Sequence, residues 1–327
     1  MERVSVAMHD RVLVVDADEW TVREALDGHR TECVASSPDG AFVLCGTYDA
    51  GLFRSTDAGE TWERVPDLAD ESVTAVAVAP DGTAWAGTEP SAVYRSDDRG
   101  RTWTHCEGLS ALPSASEWSF PPRPHTHHVR WIQPAPDDSE RLYVAVEAGA
   151  LVRTFDGGET WRDRTYAGPS DAHTLATHPD DPGRVYAAAG DGYFESDDRG
   201  DSWDLQEWGL DRTYCWSAAV DPADPETVLL AAAHCPRAAH DADAANSAVY
   251  RRVDGDRGSE WASAMDGLPE SDGLLAPSLA AVGSGDFLAV HNHGIHRSTD
   301  SGRTWRALPV EWPGDLRDRR PAGLDVS

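Results

Sequence analysis

Lysine is absent from this chain of 327 residues, and arginine supplies all 28 basic side chains against 57 aspartates and glutamates. The formal net charge is therefore -29 at pH 7. A surface this acidic repels the phosphates of nucleic acids and of anionic membranes. We therefore expect neither nucleic acid nor a membrane surface among the partners of this protein.

The chain also has few cysteines and no long apolar run. Its five cysteines are an odd number without CxxC spacing, which argues against zinc fingers and against a disulfide framework. Residues 1–4 pass directly into a strand pattern, without the apolar core of a signal peptide. No apolar stretch reaches the roughly 20 residues that a membrane-spanning helix needs. We therefore expect a cytoplasmic protein with reduced thiols.

An eight-residue phrase, (Ser/Thr)-x-Asp-x-Gly-x-(Thr/Ser)-Trp, is repeated through the chain. Its tryptophans lie 41 to 58 residues apart. Four strands and their turns in one propeller blade need about 40 to 45 residues, so each longer interval contains a blade and an insertion. The copies occupy residues 55–62, 96–103, 154–161, 196–203 and 298–305, with a degenerate copy at 254–261.

The chemistry of the phrase predicts a tight turn between two strands. The aspartate carboxylate can accept hydrogen bonds from turn amides, and glycine supplies a positive φ without steric cost. The tryptophan then opens the next strand with a large apolar surface. A role as ligands of a calcium-like ion is the alternative for these aspartates. We predict a structural role for Asp57, Asp98, Asp156, Asp198 and Asp300.

The phrase resembles the Asp-box, also called the BNR repeat, and the resemblance covers nearly the whole chain. Proteins with this repeat include sialidases, xyloglucan-active glycoside hydrolases, sortilin-type receptors and photosystem II assembly factors. The resemblance implies a β-propeller with the boxes on the face away from the active site, and it leaves the function open. The acidic composition without lysine further suggests a halophilic, haloarchaeal member, because high salt screens like charges. A GC-rich genome explains the missing lysine but not the acidic excess.

Aligning the repeats predicts an all-β, seven-bladed β-propeller of four-stranded antiparallel blades that occupies residues 1–327 as a single domain. Short runs with period-two alternation between turn residues indicate the strands. Residues 4–26 supply three strands and residues 322–326 supply one, so both termini are expected to share a blade. The predicted blades are 1–28 with 321–327, then 29–70, 71–110, 126–168, 169–210, 211–270 and 275–312, and the insertions are 108–124 and 235–246.

Function is expected where the blades differ from one another. In propellers, loops entering the innermost strand and loops joining the second strand to the third meet at one mouth of the channel. Imidazole, guanidinium and carboxylate groups in such a concavity suit a small polar or carbohydrate-like ligand. The alternative is that these groups satisfy backbone groups of neighbouring blades. The register places His128, Arg130, Glu147, Asp171, His173 and Tyr214 at this mouth, beneath the 108–124 insertion.

Two further functions stay open. A glycoside hydrolase would use Glu147 with Asp171, and His173 is a third catalytic candidate. Sialidase activity is doubtful because there is no Phe-Arg-Ile-Pro-like motif, and Arg212 is the only addition to Arg30 and Arg130 at the mouth. A non-catalytic interaction scaffold is the other possibility, and it predicts an extended surface patch instead of a polar pocket.

No cofactor is expected, and the protein is expected to be a monomer. A divalent metal is the alternative, because alternate residues of a strand project to the same side and can share an ion. Histidine pairs of this spacing occur at His125 and His127 and at His291 and His293, with His234 as a further imidazole. The sequence offers no third ligand beside either pair.

Overall fold

Short antiparallel strands make up most of the computed structural model, which describes residues 3–255 and 258–327. The degenerate sixth box therefore lies partly outside the described residues. The strands of blades one to three are β1 Arg3–Ala7, β2 Val12–Asp16, β3 Val22–Ala25, β4 Thr31–Ser36, β5 Val43–Thr47, β6 Gly51–Ser55, β7 Glu63–Arg64, β8 Ser72–Val78, β9 Ala84–Glu89, β10 Val93–Ser96 and β11 Thr104–Cys106.

The remaining strands continue the same order around the ring. They are β12 Val129–Pro134, β13 Leu142–Val146, β14 Ala150–Thr154, β15 Ala172–His178, β16 Asp181–Ala189, β17 Gly192–Ser196, β18 Asp204–Leu205, β19 Tyr214–Asp221, β20 Asp224–Ala233, β21 Ser247–Gly255, β22 Gly258–Ser263, β23 Ser278–Gly283, β24 Asp286–His291, β25 Gly294–Ser298, β26 Arg306–Ala307 and β27 Gly323–Val326. One α-helix, α1 Pro236–His240, lies in the second insertion, and no described helix has the length and apolarity needed to cross a membrane.

The seven sheets form a ring that both chain ends close. The innermost strands, β27, β4, β8, β12, β15, β19 and β23, contact one another in sequence, and β23 contacts β27 again. Strand β27 pairs antiparallel with β1, so that Val326 lies opposite Val4 and Leu324 opposite Val6. The prediction of a seven-bladed propeller closed by terminal strands in one blade is therefore confirmed.

Blade four differs from the other blades at its outer edge. It contains β12, β13 and β14, and the fourth strand is reduced to a bridge between Arg153 and Arg162. The reason is a contact with the first insertion: the Asp163 carboxylate accepts a hydrogen bond from the Ser114 amide at 2.8 Å. This contact draws the chain away from the sheet edge directly after the bridge.

The Asp-box turns have the hydrogen bonds that their sequence predicts. In blade four, the Asp156 carboxylate accepts the Thr160 amide at 2.9 Å, and the Thr154 hydroxyl accepts the Gly158 amide at 2.9 Å. Gly158 has a φ of 87°, which an L side chain rarely adopts. Hydrogen bonds from the Thr160 hydroxyl and amide lower the pKa of Asp156. The same pattern recurs around Asp57, Asp98, Asp198 and Asp300.

We expect the threonine of this box to contribute more stability than the aspartate. Thr154→Val leaves the buried Gly158 amide without an acceptor and costs about 1 to 3 kcal/mol. Asp156→Ala costs about 0.5 to 1.5 kcal/mol, because the Thr160 amide that it frees is exposed to water. Urea unfolding of both variants measures the difference. Asp156→Asn keeps an acceptor oxygen and serves as the control, and a larger loss for Asp156→Ala than for Thr154→Val would contradict this ranking.

Candidate functional site

A polar cavity of about 210 Å³ lies at one end of the central channel. It is formed by the loops that lead into the innermost strands and by the loops that follow the second strands. These are the loops at which the sequence predicts the channel mouth. Residues from blades one to four and from the first insertion line it. Four guanidinium groups and two carboxylates converge there: Arg30, Arg123, Arg130, Arg320, Glu32 and Glu147.

The six predicted site residues divide into two adjoining groups. His128, Arg130 and Glu147 line the cavity. The other three, Asp171, His173 and Tyr214, lie beside Glu147 and outside the cavity lining. Glu147, Asp171 and His173 each have one atom able to coordinate a metal, and these three atoms lie within 4.8 Å of one another. The His173 side chain is 0% exposed. The structure thus brings the six residues together, with three of them in the cavity lining and three beside it.

His128 and Glu147 form a dyad at the cavity wall. The His128 Nε2 atom lies 2.9 Å from the Glu147 carboxylate. A second hydrogen bond, from the Glu147 amide to the His128 carbonyl, joins the backbones of the same two residues. Burial alone would raise the pKa of Glu147, but the hydrogen bond and charge of His128 hold it well below its usual range. The buried His128 Nδ1 atom makes no hydrogen bond within the described chain and lies 3.8 Å from the Glu89 carboxylate.

Asp171 and His173 continue this cluster behind Glu147. The Asp171 carboxylate accepts the Ala148 amide at 2.9 Å and lies 3.7 Å from the His173 Nε2 atom. Burial raises the pKa of Asp171, and the nearby Glu147 charge adds to this effect. Burial lowers the pKa of His173, which favours the neutral imidazole. Two neighbouring carboxyl groups therefore have pKa values displaced in opposite directions.

Two arginines at the cavity stack on one tryptophan. The guanidinium carbon of Arg320 lies 4.0 Å from the Trp216 ring centroid, and that of Arg130 lies 4.8 Å from it. The Arg130 Nε atom is 3.6 Å from the Glu147 carboxylate, which is too far for a hydrogen bond. Burial and the Arg130 charge lower the pKa of Arg320 to about 10. Positive charge is therefore crowded at this wall.

Not all residues that line the cavity were predicted from the sequence. His9, Arg123 and Arg320 line the cavity, although they were not among the residues predicted from the sequence. Arg320 lies three residues before β27, whereas His128 directly precedes β12, so registering the last strand against the others would have selected Ala322 instead. Arg212 is not part of the cavity lining, and it donates hydrogen bonds to Asn246 and Tyr250.

Both insertions reach the site. In the first, Phe120 and Arg123 line the cavity, and Arg123 is bound to the Glu89 carboxylate through two nitrogens at 2.9 and 2.5 Å. Trp118 is buried beneath them, so this segment is packed against the blade. In the second, α1 places His240 next to Tyr214 and Trp216.

A metal ion has one candidate place in the described chain, the cluster of Glu147, Asp171 and His173. An ion there would have to displace the Tyr214 hydroxyl, which lies 3.3 Å from the His173 Nε2 atom. It would also lie beside the Arg130 guanidinium, whose charge opposes a cation. In one of the histidine pairs considered from the sequence, His291 already contacts another imidazole nitrogen, at a distance of 3.0 Å. We assign no metal to the site.

Comparison with known proteins identifies the repeats. The BNR/Asp-box repeat matches residues 53–64, and the BNR-Asp box repeat matches residues 93–106. The chain is a propeller with BNR/Asp-box repeats. A search of curated protein sequences gave no match.

Solved structures of other propellers resemble this chain. A GH74 enzyme of Niastella koreensis superposes with a TM-score of 0.72 at 14% identity over 93% of this chain and 51% of its own. The GH74 xyloglucanase of Xanthomonas campestris gives 0.68 at 17% identity, over 98% and 52%. This propeller thus spans about half the length of those enzymes. YCF48 from Cyanidioschyzon merolae gives 0.59 at 16% identity, over 87% and 86%. At these identities the likeness shows the fold alone.

Proposed function

We propose that the channel mouth binds a small polar ligand, of the size of a monosaccharide, that carries an oxyanion. The observation that carries this proposal is the hydrogen bonding of Arg130 and Arg320. Within the described residues, no carboxylate accepts a hydrogen bond from either guanidinium group, although both line the cavity. Guanidinium groups match carboxylate, sulfate and phosphate geometry, so an oxyanion is their complementary partner.

The composition of the chain makes such arginines unusual. Acidic residues outnumber arginines by 57 to 28, so a carboxylate partner is easily supplied wherever structure alone requires one. At blade interfaces this is the case: Arg95 binds both oxygens of Glu140 at 2.7 Å, and Arg297 binds both oxygens of Asp286. Arg130 and Arg320 depart from this rule, which supports a role outside the scaffold.

The electrostatics of the cavity favour the same ligand class. The lowered pKa of Arg320 reflects burial and the repulsion of the neighbouring Arg130 cation, and a bound anion would relieve both. Glu32 also lines the cavity, and burial raises its pKa against the opposing charge of Arg130. Its contact with the Arg30 guanidinium is 3.8 Å long, and its contact with His9, whose pKa burial lowers to about 3, is 3.9 Å long. The carboxylates of the cavity therefore leave part of the arginine charge uncompensated.

The dimensions of the cavity limit the ligand. Its volume of about 210 Å³ is below the range of about 300 to 1,000 Å³ that drug-sized ligands occupy. The Tyr48 ring and the Phe120 ring offer apolar contact beside the charged groups. A single sugar acid or a comparably small hydroxylated anion has the matching size and chemistry.

Glucuronate and glucose make a matched pair of probes, because they differ only in the carboxylate. We expect glucuronate to bind the protein at least about tenfold more tightly than glucose, since charge-assisted hydrogen bonds contribute about 1.5 to 3 kcal/mol each. Isothermal titration calorimetry at fixed ionic strength measures both affinities. Sodium sulfate should compete with glucuronate. Equal affinities for the two sugars, or no binding of glucuronate and sulfate, would reject an oxyanion site.

Hydrolysis of a glycoside is the second candidate, and the opposite pKa shifts of Asp171 and Glu147 favour it. A carboxyl group with a raised pKa can act as the general acid while its ionised neighbour acts as base or nucleophile. Asp171, however, is not part of the cavity lining. Release of sugar from glycoside substrates that is lost in Glu147→Gln, with glucuronate binding retained, would establish this activity beyond ligand binding.

An interaction scaffold is the third alternative carried from the sequence. One of the similar structures is YCF48 bound to a D1 peptide, and that chain has 17% identity to this one. A scaffold does not explain the concentration of arginines in this cavity. A halophilic source, a cytoplasmic location and a monomeric state remain our predictions. Thermal unfolding that rises with potassium chloride, and a monomeric mass in solution, are the observations that would support the first and the last.

A further inference from the structure

We infer that His240, from the second insertion, is a positioning residue that fixes Arg320 for the oxyanion through a directed chain of hydrogen bonds. The chain runs from Arg320 through His240, Tyr214 and His173 to the Cys215 carbonyl. The functional part of this inference rests on the proposed ligand, but the direction of the chain follows from the contacts alone.

The direction is set at the arginine end. The Arg320 Nε atom lies 2.9 Å from the His240 Nδ1 atom. A guanidinium nitrogen donates hydrogen bonds and cannot accept them, so the His240 Nδ1 atom must be the acceptor. A neutral imidazole carries its proton on the other nitrogen, and the His240 Nε2 atom is therefore a donor.

The same logic continues through the tyrosine. The Tyr214 hydroxyl lies 3.1 Å from the His240 Nε2 atom and 3.3 Å from the His173 Nε2 atom. It accepts from His240 and has a single proton, which it donates to His173. The His173 Nδ1 atom then carries the remaining proton and donates it to the Cys215 carbonyl at 2.7 Å. The carbonyl can only accept, so both ends of the chain enforce the same direction.

The surroundings keep both imidazoles in this neutral form. Burial, followed by the Arg320 charge, lowers the pKa of His240 to about 2. Burial also lowers the pKa of His173, against the opposing charges of Glu147 and Asp171. Both rings pack on Trp216, with centroids 4.5 and 4.6 Å from that ring. Protonating His240 would place its Nδ1–H against the Arg320 Nε–H donor, and protonating His173 would remove the acceptor of the Tyr214 proton.

The chain determines how Arg320 meets a ligand. Its Nε atom is committed to His240, and its Nη1 atom donates to the Pro321 carbonyl at 2.9 Å. The Nη2 atom makes no hydrogen bond to the described residues and remains available as a donor. A guanidinium held at two nitrogens and stacked on Trp216 loses little freedom when an anion binds. The inserted helix α1 supplies His240, which gives this insertion a role in the site.

The first test measures the two tautomers without any ligand. Long-range ¹H–¹⁵N spectra of the histidine-labelled full chain at pH 5 should show His240 with its proton on Nε2 and His173 with its proton on Nδ1. Unpaired histidines are mostly protonated at that pH, because their usual pKa is about 6.5. His240→Gln and His173→Gln variants assign the signals. Protonation of either ring at pH 5, or the opposite tautomer in either ring, would overturn the chain.

The second test measures the consequence for binding. His240→Ala should weaken the binding of glucuronate by about tenfold, which corresponds to the loss of one charge-assisted contact that positions Arg320. His240→Gln should bind nearly as well as the unchanged protein, because an amide oxygen can accept from Arg320 while the amide nitrogen donates to Tyr214. His105→Ala, at an exposed position, is the control for general effects. Equal affinity in the alanine and glutamine variants would overturn the positioning role.

The two tests separate failure of this inference from failure of the proposed function. If the unchanged protein binds neither glucuronate nor sulfate, the proposed oxyanion site is wrong, and so is the positioning role of His240 in it. The tautomers are decided by the spectra in either case. If the protein binds glucuronate but the spectra show a protonated His173, the ligand proposal stands and the directed chain is wrong.

Discussion

Deletion of residues 320–327 unfolds the whole propeller, and this is the largest effect on stability that we expect. The deletion removes β27, which pairs with β1 and whose Leu324 and Val326 side chains pack in the core between the first and last blades. It also removes Asp325, whose carboxylate accepts a hydrogen bond from Ser36 in blade two at 2.5 Å. The combined loss of about 5 kcal/mol or more approaches the total stability of about 5 to 15 kcal/mol that is typical of domains.

Thermal unfolding of the truncated chain, followed by circular dichroism, measures this effect. A synthetic peptide with the sequence of residues 320–327 provides the matched control, because adding it in trans should restore part of the lost stability by binding to the folded ring. Deleting Ser327 alone should have a small effect, since only its backbone pairing with Arg3 is lost. An unfolding temperature unchanged by the full deletion would show that ring closure does not depend on β27.

Replacement of both Arg130 and Arg320 by alanine abolishes the binding of glucuronate and sulfate, which is the largest effect on binding that we expect. Each charge-assisted contact contributes about 1.5 to 3 kcal/mol, so the double variant should lose about 100-fold or more in affinity. The fold should persist, because no carboxylate of the described residues accepts a hydrogen bond from either guanidinium group, so none would be left buried without its partner.

Calorimetric titration of the double variant measures the loss, and thermal unfolding reports whether the propeller remains intact. Arg101→Ala is the matched control, because Arg101 is exposed in an Asp-box turn and lies outside the cavity lining. Retained affinity in a folded double variant would place the anion elsewhere. Equal loss in the control would indicate a general effect of surface charge instead of a site.

Local sequence determined the Asp-box turns, because every partner in such a turn lies within a few residues of the others. Thr154, Asp156, Gly158 and Thr160 supply donors, acceptors and a positive φ within one turn, so their sequence suffices to predict the hydrogen bonds. The outer edge of blade four was not predictable in this way. Its last strand is shortened by the contact between Asp163 and the distant Ser114.

The repeat also gave partial access to the site. Blades of equal construction bring equivalent positions to equal height, and this places His128, Arg130 and Glu147 at one cavity. It does not distinguish a side chain that faces the cavity from one behind it. His173 is fully buried, and that burial depends on the packing of Trp216 and Tyr214 from the next blade.

The sequence by itself determined the number of blades, their order, the sharing of one blade by both termini and the acidic surface, because a repeated phrase and a composition are read without knowledge of contacts. Only the tertiary structure decided which arginines meet. Ring closure brings Arg320 next to Arg130, although 190 positions separate them in the chain. The direction of the chain through His240 likewise depends on distances between residues of four separate segments, which no local pattern encodes.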